Sequence, residues 1–77
     1  MLRTLVKTDT VDVDNRTLAV CYFEMRTLRG ARRYSAEILL GPGDRVILDD
    51  DSVINLETRT RRLIPATVKS RTRLQTA

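Results

Sequence analysis

Histidine and tryptophan are absent from this chain, and cysteine occurs once, at Cys21. A single cysteine rules out an intrachain disulfide, and without histidine a zinc site of ordinary composition cannot be assembled. The usual acid-base and nucleophile arrangements are missing for the same reason, since no Ser/His/Asp or Cys/His set can be formed and no glycine-rich phosphate loop is present. Aromatic residues number three, Tyr22, Phe23 and Tyr34, so no stacking platform for single-stranded nucleic acid stands out. No apolar run is long enough to cross a bilayer or to serve as the core of a signal peptide. These absences lead to the expectation of a soluble cytoplasmic protein that is not an enzyme and binds neither cofactor nor metal.

With 77 residues the chain reads as a single small domain, residues 1–77, with frayed ends. At this length only about 60 to 65% of the extended-chain surface can be buried. Lacking a disulfide or metal staple, such a domain depends on good packing or on association with a second subunit. Cys21 lies in an apolar run, where a small core hydrophobe is the expected role.

Among the residues present, charge dominates. Fourteen basic residues against ten acidic ones give a net charge of +4, and twelve of the fourteen are arginines. Arginine suits bidentate contacts to carboxylate or phosphate, so the composition is compatible with an anionic partner without requiring one. Two concentrations stand out: Arg26, Arg29, Arg32 and Arg33, then Arg59, Arg61, Arg62, Lys69, Arg71 and Arg73.

The segment Gly41 to Pro65 carries the clearest order. Gly41-Pro42-Gly43-Asp44 predicts a type II turn, proline presetting one angle and Gly43 supplying the positive φ. Val46 to Leu48 then reads as a short strand buried on both faces, near 45–48. Asp49, Asp50 and Asp51, with Ser52, read as a helix cap whose oxygens accept from unpaired backbone N–H groups. A magnesium or calcium role for the acidic clusters is the costlier explanation, because the glycine and distal glutamate of a calcium loop are missing.

From about residue 51 to 64 the spacing predicts an amphipathic helix. Val53, Leu56, Thr60, Leu63 and Ile64 share one face, and Asn55, Arg59, Arg61 and Arg62 lie off it. Glu57 and Arg61 stand in register for an i to i+4 pair. Pro65 is expected to end this helix or to begin a short second one, leaving 66–77 as helix or final strand. An extended reading of 53–63 competes, through the alternation of Ile54, Leu56, Thr58 and Thr60.

Upstream, strands are expected near 2–7, 17–27 and 33–40. Leu2 to Lys7 reads as an edge strand, and Asp9 to Arg16 alternates Val11 and Val13 with Asp12 and Asp14 before a turn at Asp14-Asn15. Thr17 to Leu28 reads as a central strand with Ala19, Cys21, Phe23 and Met25 on one face and Leu18, Val20 and Tyr22 on the other. All three aromatics are expected in the core. Tyr34 to Leu40 follows across a hairpin loop containing Gly30.

Together these features predict an α+β fold, a small antiparallel sheet of three to four strands covered by a C-terminal amphipathic helix. Two-faced strands leave apolar residues that one helix does not fully cover, with Leu18 and Leu39 as candidates for the second face. The function expected is a non-catalytic intracellular interaction module, self-associating as a dimer or binding a protein partner. The alternative is nucleic-acid binding through an arginine-rich hairpin tip and a basic helix face.

Overall fold

The computed structural model describes residues 3–76, with side chains described as far as Arg71. Four strands, β1 (Arg3–Val13), β2 (Arg16–Arg26), β3 (Arg32–Gly41) and β4 (Asp44–Asp50), precede one helix, α1 (Val53–Thr76). The sheet is an antiparallel meander in the order β1-β2-β3-β4, so each strand pairs with its neighbour in sequence. This is the α+β architecture that the strand and helix periodicities predict.

Three turns set the registers. Asp14 and Asn15 take φ of 50° and 64°, the positive pair that a two-residue connection of the primed type demands, and Val13 faces Arg16 across it. Gly43, at φ 70°, closes the β3–β4 hairpin as its predicted turn requires. At the β2–β3 end Gly30 takes φ 81°, and Thr27 Oγ1 accepts a hydrogen bond from Ala31 N at 3.2 Å.

Register irregularities do further work. Between Leu5 and Lys7 the β1–β2 ladder slips by one residue, so Leu5 stands on one face of the sheet and Lys7 on the other. A second slip lies between Leu39 and Gly41, and there Arg16 Nη2 donates to the Leu40 carbonyl at 2.6 Å. The slip leaves Leu40 facing the core at 5% exposure while Leu39 stays open.

On the covered face, Leu18, Val20 and Tyr22 of β2 and Ala36, Ile38 and Leu40 of β3 meet Leu56, Ile64 and Val68 of α1. Val53 and Leu63 pack at the margin, so the predicted helical stripe is the one that is buried. Thr60 belongs to it as well, and its Oγ1 lies buried near the Tyr22 phenol without reaching hydrogen-bond geometry. Each fully buried aliphatic side chain contributes about 1.5–3 kcal/mol.

Several expectations are corrected. Pro65 neither ends α1 nor starts a second helix: the helix runs unbroken from Val53 to Thr76 with Pro65 inside it. Pro65 sits on the exposed side, where water can take the backbone partner it lacks, while Ile64 and Val68 on the inner side are 0% and 1% exposed. Of the ends expected to fray, Met1, Leu2 and Ala77 lie outside the described residues, while the backbone is helical up to Thr76. β1 extends to Val13 rather than ending near Lys7, because the Val11 and Val13 alternation continues the same ladder against Leu18 and Arg16.

β4 is buried on one face only. It is an edge strand whose Val46 and Leu48 pack on the core while Ile47 is 52% exposed on the other side. Asp49 and Asp50 belong to β4, and the cap is Ser52, whose Oγ accepts from Asn55 N at 3.3 Å. Leu18 lies in the core rather than on the second face, and Phe23 lies opposite the helix rather than in the core. Glu57 bonds Lys7 Nζ at 2.6 Å instead of pairing with Arg61.

Candidate functional site

The basic residues singled out in sequence do not form one surface. Arg26, Arg29, Arg32 and Arg33 gather at the β2–β3 end, where Arg26 stands opposite Arg32 in the ladder and Arg33 opposite Met25. Their only ion pair among the described residues is Arg32 Nε with Glu24 Oε1, at 3.6 Å. The helix runs back along β4, which puts Arg71 beside Asp44 at the far end of the sheet, 3.1 Å from Oδ2 and 3.4 Å from Oδ1. The second concentration is therefore spread along α1, from Arg59 beside Asp50, whose ladder partner Tyr34 adjoins Arg33, to Arg71 beside Asp44 at the other end of the sheet.

Arg61, Arg62 and Lys69 are exposed on α1 and make no ion pair among the described residues. Arg73 lies in the last helical turn, and its side chain is outside the described residues. Arg59 is occupied within the fold: its Nη1 donates to the Asp49 carbonyl at 2.7 Å and to Asp50 Oδ2 at 3.1 Å. With Arg62, Leu48, Leu63 and Ala66 it lines a shallow groove of about 270 Å³ between β4 and the helix.

At this corner the Asp50 carboxyl is held at about 2, well below 3.8, by its contact with Asp51 foremost and then by Asn55 and Arg59, against some desolvation. A carboxyl whose folded value is depressed contributes stability that is present above its ordinary value and lost as pH falls toward the lowered one. Unfolding midpoints should therefore decline between about pH 4 and pH 2, and Asp50→Asn should flatten that part of the profile. An unchanged slope in the variant would remove Asp50 from the acid response.

The feature that sequence reasoning only half reached is the sheet face turned away from α1. Its residues form a grid set by the ladder. Arg3, Met25 and Arg33 make one row, followed by Leu5, Phe23, Ser35 and Asp49, then Thr8, Cys21, Glu37 and Ile47, then Thr10, Ala19, Leu39 and Arg45, and last Asp12 beside Thr17. Leu5 at 54%, Ile47 at 52% and Leu39 at 41% are open to solvent, with Phe23, Met25 and Cys21 half-buried among them. One-sided antiparallel sheets ordinarily place polar side chains here.

In the middle of this grid sits Glu37, only 6% exposed. Glutamate is almost never so covered unless paired. Arg3 Nη1 reaches its Oε1 at 2.7 Å from β1, and Arg45 Nη1 approaches the same oxygen at 3.7 Å from β4. The Arg3 guanidinium also lies over the Phe23 ring, 4.0 Å from its centroid. A carboxylate in the central part of the sheet thus draws arginines inward from both edge strands across an otherwise apolar face. The alternation of Ser35, Glu37 and Leu39 against Ala36 and Ile38 is the sequence signal for this placement.

Among the described residues, no group of three or more histidine, cysteine or acidic side chains is placed to hold a metal ion. Nor is any described helix long and apolar enough to cross a membrane. Compared with known proteins, the chain matches no family, no curated protein and no solved structure.

Proposed function

We propose that this chain is a small non-catalytic protein-interaction module that works through the open face of its sheet. The observation that supports the reading is the grid around Glu37. An exposed apolar patch rimmed by polar groups is the usual mark of a docking surface, and this one is tied from edge to edge by the Arg3–Glu37–Arg45 cluster. Tyr22, Ile38 and the helical stripe are already used in the core, whereas Leu5, Leu39 and Ile47 lie outside it and open to solvent.

Cys21 provides the test, since it lies half-buried on the same face beside Glu37. Its alkylation rate is measured in dilute purified protein, in concentrated purified protein, and for a trace of protein added to nuclease-treated native lysate. Protection of several-fold in either of the last two conditions is the expected result. Equal rates in all three would mean that nothing covers the face, and would overturn the reading.

A second reading, nucleic-acid binding, draws support from the β2–β3 end, where Arg26 and Arg32 are opposed across the ladder with Arg29 and Arg33 adjacent. Like charges placed opposite one another are destabilising, and a phosphate between them would relieve that cost. Binding of a generic oligonucleotide that weakens steeply with salt is its signature.

A further inference from the structure

We infer that the occupant of the open sheet face is a second copy of this chain, docked face to face about a two-fold axis so that two sheets are sandwiched between two outer helices. The inference rests on the reading of that face as an interaction surface and names its partner.

Area is the first argument. The strands, of 11, 11, 10 and 7 residues, take about 3.3 Å per residue along their length and about 4.8 Å each in width. The face therefore offers a footprint of about 600 Å², at the lower end of the roughly 600–1,000 Å² per partner of a stable interface.

Charge is the second. The chain as a whole carries +4. Yet on the open face Arg3, Arg33 and Arg45 are matched in number by Asp12, Glu37 and Asp49, which leaves the face neutral. A two-fold interface sets a surface against itself, so it tolerates only a patch whose charges balance. The basic excess that an anionic partner would need lies elsewhere, on α1 and at the β2–β3 end. Arg3 and Arg45 remain 45% and 59% exposed in their side chains. Each guanidinium has five N–H donors, so both can bond across an interface while still holding Glu37.

The free edges give a third argument, because two copies of a sheet protein can also join edge to edge. Here the β4 edge is obstructed, with the Asp49 carbonyl taken by Arg59 and Asp44 engaged by Arg71. On β1 the slip at Val6 breaks the regular row of backbone groups. Face-to-face packing is the route left open.

Sedimentation equilibrium on the full chain tests this. The expected species has twice the 8.8 kDa chain mass at micromolar to millimolar concentration. Ile47→Asp and Leu39→Asp, both at exposed positions, should weaken association at least 100-fold with unchanged far-UV circular dichroism. Ile54→Asp, at a position 75% exposed on the helix, should leave it intact. Glu37→Gln keeps the shape but makes the face positive, so its dimer should weaken at least tenfold at low salt and recover as salt rises. Should either Asp variant lose its fold, the wild-type mass and the Glu37→Gln salt response decide alone.

A mass of 8.8 kDa at every concentration would overturn the inference, as would a dimer indifferent to both face variants. A monomer whose Cys21 is nevertheless protected in lysate would sink the second copy while leaving the interaction reading standing. A monomer with Cys21 unprotected everywhere would sink both.

Discussion

Leu56→Ala is expected to remove about 2–5 kcal/mol of stability, the range for truncating a fully buried leucine. Leu56 is 0% exposed and belongs to the cluster where the first half of α1 meets β2 and β3. A chain of this size has only roughly 4–12 kcal/mol in total, so the variant should sit near the edge of folding. Little can flow into the space left behind, because the sheet beneath is fixed by its ladder and interiors relax only partially around a lost side chain. The urea midpoint should drop by on the order of 2 M at one fixed protein concentration. Ile54→Ala, two residues away and 75% exposed, should shift it hardly at all. Equal effects at the two positions would refute the orientation of α1 on the sheet.

Pro65→Ala is expected to act in the opposite direction, raising stability by about 1–3 kcal/mol. Proline in a helix interior lacks the N–H that would donate to the carbonyl four residues back, here that of Arg61, and its ring crowds that carbonyl. The helix continues regardless because Ile64 and Val68, the residues flanking this turn on the inner side, are almost completely buried. Alanine would restore the missing bond on the wet side without touching the core. Some of the gain is offset because the unfolded chain becomes less restricted. A rise in melting temperature of about 5–20 °C follows from the scaling for small domains. A fall, or no change, would mean that Pro65 holds a conformation the fold needs.

Pro65 also shows where local rules stop being sufficient. Seen in isolation, a proline after Leu63-Ile64 is a stop signal, and nothing within a few residues contradicts it. Burial of Val68 against the sheet overrides that preference, and it depends on contacts far away in the chain. The alternation in β2 was legible for the converse reason: Leu18, Val20 and Tyr22 against Ala19, Cys21, Phe23 and Met25 is a local pattern, and both sets ended on the faces it assigns. Which set would be covered depended on where α1 lies, so Leu18 and Phe23 were each placed on the wrong side. The aspartates misled because a carboxylate beside a helix start and one at the end of an edge strand look alike until the pairing of Tyr34 with Asp50 is known.

The candidate site was legible only as a leftover. A sheet with apolar residues on both sides implied an uncovered face, and Leu39 was rightly placed on it. Glu37 is not legible as part of it, because an acidic residue in an alternating strand reads as solvated. Its coverage comes from Arg3 and Arg45, 34 residues upstream in the first case and on the next strand in the second. The arginine clusters, by contrast, were easy to see and are dispersed by the fold, with Arg59 and Arg71 spent on fastening the helix to β4.

The meander order has a consequence for how the chain is made. All three hairpins join strands that are consecutive in sequence, so each can zip as soon as its second strand is synthesised, with little loop entropy to overcome. The cover for the resulting sheet, however, is carried by Leu56, Ile64 and Val68, which are the last core residues to be translated. A ribosome-bound intermediate with its sheet formed and α1 not yet made would thus hold an apolar sheet bare on both sides, and the interval before α1 emerges is when a chaperone would find most to bind.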